Sequence, residues 1–300
     1  MIDVQKVTKK YGSFVAVEDV SLSAASGVIY GLVGYNGAGK TTLLKTMAGI
    51  YRPENGSVLA DGENVFGSAG YHRQMFLLSD DPYFVPQASL DDMRHIYSGY
   101  YPNWSDKTFK KLSELFRLDR RAKINGFSKG MQRQAAIVLA LATHPRYLLM
   151  DEAFDGLDLS KRNLLKKLLR QYVCEKQAVL VASSHNLLEL EELADRIGIL
   201  RDRKLCFDDT VANMRLSRSK YQVDFQQVPE MDTLRALGLT DIRKLRENTF
   251  TFVGIGGANM VLRDKLTELG ASNIGSLQMT LEEFFLEEMD EQSYEFNDIF

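Results

Sequence analysis

The chain has 300 residues, 45% of them apolar and 26% charged, a globular composition that excludes a disordered or fibrous protein. Two domains are expected at this length, with cores that need no disulfide staples, and the two cysteines, Cys174 and Cys206, form no CxxC pair, as in a reduced, cytosolic protein without structural zinc. The formal net charge is −3, and eight acidic residues from Glu282 onward occur without a Lys or Arg, leaving elsewhere a small positive surplus that is no nucleic-acid footprint.

The longest apolar run, Ala135 to Ala142, has eight residues, against about 20 for a membrane-spanning helix. Met1 to Gly12 has no apolar stretch of signal-peptide length. The chain is therefore expected neither to cross a membrane by itself nor to be exported.

Residues 1–30 alternate as strands, with Ile2, Val4 and Val7 on one face, then Val15 and Val17. The apolar run Val28 to Val33 ends in Gly34, and a helix follows over Thr41 to Ile50, with Leu43, Leu44 and Met47 at helical spacing. Gly56 marks a turn and Asp61-Gly62 a hairpin. Residues 90–145 read as mostly helical, punctuated by Pro102, Asn103 and Gly126. Tyr147 to Met150 and Ala178 to Ala182 are buried strands, separated by an amphipathic helix over Ser160 to Val173. Asn186 and Glu189 have capping-box spacing and predict a helix to Arg196. Strands alternating with helices predict an α/β fold, a mainly parallel sheet covered on both faces.

That alternation stops near residue 216. Beyond it come a strand, a helix over Met231 to Leu237, a strand pair around Asn248, a helix over Asn259 to Leu269 and a strand over Ile274 to Met279. Thr280 and Glu283 cap a last helix with Leu281, Phe284, Phe285 and Met289 on one face. The expected domains are 1–218 and a small α/β domain over 219–300 with an acidic tail.

Gly34-Tyr35-Asn36-Gly37-Ala38-Gly39-Lys40-Thr41, followed by Thr42, fits G-x-x-x-x-G-K-[ST]. Glycines let successive N–H groups point into one concavity that an anion can fill, and the following helix adds its positive end. In that setting Lys40 reaches the β- and γ-phosphates of a nucleotide and Thr41 ligates Mg²⁺. Tyr147 to Met150 then delivers Asp151 and Glu152 at the carboxyl end of a strand, where open α/β sheets bind ligands. One carboxylate there can hold Mg²⁺ and the other can orient and deprotonate a water. Val179 to Ser184 delivers His185 to the same edge. His72, His95 and His144 show no metal-ligand spacing.

With Phe127-Ser128-Lys129-Gly130-Met131-Gln132 added, these residues resemble the nucleotide-binding subunit of ATP-binding cassette (ABC) transporters. The Ser-Lys-Gly-Met form is similar to ABC-2-type exporters of the bacitracin and lantibiotic-resistance kind, as are Tyr100 to Trp104 and Phe154 to Asp158. The resemblance implies a P-loop cassette with a mainly parallel sheet, an antiparallel β edge and a helical subdomain. It implies an ATPase that uses ATP and Mg²⁺, pairs head to tail with a second cassette, and works with separate transmembrane permease subunits from the cytoplasmic face of the membrane. Residue by residue, it implies that Tyr11 stacks on adenine, that Ser128, Lys129, Gly130 and Met131 meet the opposite subunit's ATP, and that Asp158 lies at the dimer interface. Glu152 would be the general base and His185 the γ-phosphate sensor. Taken singly, Tyr11 fits a surface aromatic, Ser128 a helix cap and Asp158 a turn residue. Where the family has Gln after the strand that follows the hairpin, this chain has Asp80, a candidate Mg²⁺ ligand. The alternatives are a soluble ABC ATPase, which a single cassette without heptads disfavours, and an ATP-binding switch that does not turn over, against which intact Glu152 and His185 argue. Residues 220–300 resemble the accessory domain of many ABC-2-type ATPases.

Overall fold

In a computed structural model, which describes residues 1–255, 260–277 and 279–288, β1 (Ile2–Tyr11) and β2 (Phe14–Ala24) pair antiparallel across a Gly12 turn. β3 (Ile29–Val33) is buried along its whole length, and α1 (Lys40–Met47) leaves its end through the loop from Gly34 to Gly39. β4 (Asn55–Ala60) and the two-residue β5 (Glu63–Asn64) form the expected hairpin. At its turn Asp61 and Gly62 both have positive φ, 48° and 88°, as a type I′ turn requires. β1, β2, β4 and β5 make one four-stranded sheet in the order β2-β1-β4-β5.

The short α2 (Ala69–His72) leads to β6 (Met75–Leu78). Three helices follow, each opened by a serine: α3 (Leu90–Tyr100) by Ser89, α4 (Asp106–Leu115) by Ser105, and α5 (Lys129–Ala142) by Ser128. At α3 the box is reciprocal, since Asp92 accepts from the Ser89 N–H at 2.8 Å and donates its own N–H to Ser89 Oγ at 3.2 Å. β7 (Tyr147–Met150), α6 (Leu159–Lys176), β8 (Val179–Ser184), α7 (Leu187–Glu191), β9 (Arg196–Arg201) and β10 (Lys204–Thr210) complete the alternation. The second sheet runs β10-β9-β3-β8-β7-β6, and its pairs β3–β8, β3–β9, β6–β7 and β7–β8 are all parallel. β7 and β8 are wholly buried, which is why Tyr147 to Met150 and Val179 to Ala182 read as apolar runs. The carboxyl ends of β3, β7 and β8 therefore lie side by side and present Gly34, Asp151 and His185 at one edge.

The capping box expected at Asn186 is absent. Asn186 makes no side-chain cap, and α7 stops at Glu191. The Glu189 carboxylate faces inward and is taken by Arg162 at 2.6 Å and by the Ser184 hydroxyl at 3.0 Å, so it cannot reach back to the helix start.

Packing divides the chain into Met1–Asp208 and Asp209–Phe300, ten residues ahead of the boundary at 218. α8 (Val211–Ser217) runs directly into β11 (Arg218–Phe225) and belongs with the second unit. In that unit α9 (Met231–Ala236), β12 (Leu239–Lys244), β13 (Thr249–Ile255), α10 (Met260–Glu268) and β14 (Ala271–Leu277) follow β11. The sheet order is β12-β13-β11-β14, antiparallel throughout, which is the ferredoxin-like split βαβ arrangement. Tyr221, Val223, Phe225, Leu234, Phe250, Phe252 and Leu266 fill its core. α11 (Leu281–Glu288) is capped by Thr280 and Glu283 as expected, and Glu283 also pairs with Lys220 on β11. The acidic tail beyond Glu288, Met289 included, and the side chain of Phe285 lie outside the described residues.

Candidate functional site

The loop Gly34 to Gly39 is shaped by two steric demands. A Cβ on Gly39, whose φ is +104°, would sit 2.5 Å from the Ala16 carbonyl oxygen, and one on Gly34 would sit 2.7 Å from that of Leu200. Gly37, at φ +83°, faces open space, so its backbone can be approached from outside. The first N–H groups of α1 have no carbonyl one turn back and point out of the helix end. The result is a concavity of donors with a dipole behind it, which suits phosphate.

Lys40 is 5% exposed. Its ammonium donates to the Gly34 carbonyl at 2.7 Å and the Tyr35 carbonyl at 3.4 Å, and lies 3.3 Å from Glu152 Oε1. The other Glu152 oxygen accepts from the His185 N–H at 3.1 Å and lies 2.8 Å from its Nδ1. Glu152 is thus clamped between the phosphate-loop lysine and the histidine at the end of β8. Burial pushes the Glu152 carboxyl up, but the His185 hydrogen bond and the Lys40 charge outweigh it and hold the group below its ordinary range. Glu152 also has a left-handed φ of 45°, an uncommon state for a non-glycine residue that surrounding contacts must enforce.

Beside this pair the Thr41 hydroxyl donates to Asp151 Oδ2 at 2.6 Å, and Ser183 donates to Asp151 Oδ1 at 2.7 Å. Among the described residues no group of three or more His, Cys, Asp or Glu could hold a metal alone. A hydroxyl beside one carboxylate fits Mg²⁺, which takes one or two protein oxygens and completes its shell with phosphates and water. Thr41 and Asp151 are the residues that would hold it.

Tyr11 ends β1 and is 45% exposed. Its hydroxyl lies 3.4 Å from Thr42 Oγ1 on α1, and its ring stands edge-on to Tyr51. Ser128 caps α5, accepting from the Met131 N–H at 3.3 Å, and Asp158 caps α6, accepting from the Lys161 N–H at 2.9 Å. Ser128, Lys129 and Asp158 are exposed, while Gly130 and Met131 are half-buried. Asp80 follows β6, and its carboxylate makes no bond to Thr41 or Asp151. It lines a cavity of about 370 Å³ with Lys129, Gln132, Arg133 and Asp155. Loss of hydration there, with the charges of Asp155, Asp151 and Glu152, raises its carboxyl against the pull of Arg133.

Residues 17–155 match the family model described as ABC transporter. ABC transporter ATP-binding protein YtrB of Bacillus subtilis is 26% identical over 287 residues, covering 95% of this chain and 97% of its own. Nod factor export ATP-binding protein I of Burkholderia lata is 32% identical over 208 residues, covering 67% of this chain and 68% of its own. The chain belongs to the ABC transporter ATP-binding family. A solved ATP-binding subunit of an ABC transporter superposes with a TM-score of 0.67 at 26% identity, covering 72% of this chain and 92% of that one. The fold is that of the ABC cassette, an ATPase that uses ATP with Mg²⁺.

Two contributors to this ABC site were not read from the sequence. Ser183 bonds Asp151 through its hydroxyl proton and accepts the Glu152 N–H at 3.0 Å, so one hydroxyl orients both carboxylate residues. Its signal is a polar residue at the end of a buried strand, one step before Ser184. The other is Arg133, whose guanidinium donates to the carbonyls of Asp151 and Glu152.

Gly130 has a steric role within its own chain. A Cβ there would sit 2.6 Å from the Gly156 carbonyl oxygen, so α5 can approach the loop after Glu152 only without a side chain. Gly130→Ala is expected to cost about 1–3 kcal/mol, lowering the thermal midpoint and ATP turnover together. Gly126→Ala, which meets nothing within 4 Å, is the control. A Gly130→Ala protein that melts with wild type would contradict the close approach.

Proposed function

We propose that the chain drives export across a membrane by hydrolysing ATP between two cassettes. The cassettes face head to tail, each ATP lying between the phosphate loop of one and Ser128 to Met131 of the other. Separate transmembrane permease subunits carry the cargo, and the cassettes sit peripherally on the cytoplasmic face. Among the described residues no helix is long and apolar enough to cross a membrane, so the reading assigns the membrane path to those subunits. A relative named for Nod factor export supports the direction.

The observation that carries the reading is the placement of Glu152, clamped by Lys40 and His185 beside the Thr41–Asp151 pair. Glu152 acts as the general base on an attacking water, and its ionised state at neutral pH lets it accept the proton. Lys40 meets the β- and γ-phosphates. As it does so its charge turns from Glu152 toward the nucleotide, which removes one of the influences holding that carboxyl low and makes it a stronger base. His185 contacts the γ-phosphate, Tyr11 lies against adenine, and Asp158 meets the opposite subunit. Asp80 is a further candidate Mg²⁺ ligand, and its carboxylate feels the charges of Asp155, Asp151 and Glu152.

Steady-state phosphate release from ATP by the purified chain tests this. Release that requires Mg²⁺ and falls sharply in Asp151→Asn is expected. Tight ATP binding with no phosphate release would make the protein an ATP-dependent switch.

A further inference from the structure

Arg133 lies on α5 one turn beyond Ser128 and is 3% exposed. Its Nη2 donates to the carbonyls of both Asp151 and Glu152, each at 2.6 Å. Its Nη1 donates to the carbonyls of Ser79 and, at 3.3 Å, Asp80. One guanidinium therefore joins three segments: α5, the end of β7, and the segment after β6. A planar fork of donors suits such a node, where a single ammonium could not reach all four oxygens.

Packing alone is a weak reason for a cation at this place. A buried charge is costly unless paired, and among the described residues Arg133 bonds neutral carbonyls alone, with its Nε–H buried and unpartnered. Asp80, Asp151, Asp155 and Glu152 supply compensating charge without a direct side-chain bond. The guanidinium instead holds the carbonyl of a residue in the left-handed region. Glu152 has positive φ, and fixing its carbonyl, with Ser183 fixing its N–H at 3.0 Å, determines where its side chain emerges. The same helix carries Gly130 against Gly156, so the start of α5 and the loop after Glu152 are in close backbone contact.

We infer that Arg133 is a positioning residue for hydrolysis: through the Asp151 and Glu152 carbonyls it sets the aim of the Glu152 carboxylate, and it ties that aim to the position of α5 and of the Ser79–Asp80 segment. The inference rests on Glu152 being the base. It gives the chain an internal link from the helix that would meet the opposite subunit's ATP to the carboxylate that works on its own.

The test is a cycle in the full chain, Arg133→Lys and Arg133→Gln each made in wild type and in Glu152→Gln, with kcat, KM for ATP, nucleotide affinity and melting measured. Arg133→Lys keeps the charge and loses the fork, and Arg133→Gln keeps hydrogen-bonding capacity without the buried charge, so a fold that tolerates either one suffices. Misplacement of a reacting group by about 1 Å can cost about 10²-fold. A tenfold to hundredfold loss of kcat (about that scale) with KM and affinity unchanged is expected in wild type, shrinking to near no loss once Glu152 is Gln. Equal fold losses in both backgrounds, or unchanged kcat in a folded variant, would overturn it. Glu152→Gln turning over at the wild-type rate would sink the base assignment as well, whereas a crippled Glu152→Gln beside unaffected Arg133 variants sinks this inference alone.

Discussion

Replacing Lys40 with Ala should abolish tight ATP binding. The ammonium is already directed inward by the Gly34 and Tyr35 carbonyls, so it meets phosphate oxygens with little reorganisation. Charge-assisted hydrogen bonds contribute about 1.5–3 kcal/mol each, and loss of two corresponds to roughly 10²–10⁴ in affinity. The same substitution takes a positive charge from 3.3 Å of Glu152, so the Glu152 carboxyl should titrate higher than in wild type. Titration with a fluorescent ATP analogue measures the first effect, and unchanged affinity would refute the role given to the phosphate loop.

Glu152→Gln should leave ATP binding intact and lower turnover by the amount a positioned base supplies, about 10²–10⁴-fold, or about 3–5 kcal/mol of barrier. Gln keeps the shape and one oxygen, so His185 retains a hydrogen-bond partner while the basic carboxylate is gone. Asp151→Asn should lose turnover for another reason, because it weakens the oxygen pair with Thr41 at 2.6 Å and with it the Mg²⁺ site. Raising Mg²⁺ should therefore recover part of the Asp151→Asn rate and none of the Glu152→Gln rate. A Glu152→Gln enzyme at full speed would move the base elsewhere, Asp80 being the next carboxylate to examine.

The positions of the Gly34–Thr41 loop and of the Asp151–Glu152 pair are legible because each is a short run following a buried strand. The sheet was legible for a related reason: β3, β7 and β8 are buried on both faces and so read as continuous apolar runs. Arg133 was not legible. It bonds Ser79, 54 residues away, and Asp151, 18 away, and nothing local separates it from the charged residues on solvated helix faces. Glu189 has capping-box spacing with Asn186, yet the fold takes its carboxylate for Arg162 and Ser184, and α7 ends at Glu191. The division falls ahead of residue 218 because α8, a short helix, packs with the second unit.

The most direct test of the account is sedimentation of Glu152→Gln with and without ATP. In the proposed cycle hydrolysis separates two cassettes that ATP has brought together, so a chain that binds ATP without cleaving it should accumulate as an ATP-bound dimer, while wild type shows that dimer only briefly and Lys40→Ala not at all. Glu152→Gln remaining monomeric at saturating ATP would contradict the head-to-tail arrangement and the roles assigned to Ser128, Gly130 and Asp158.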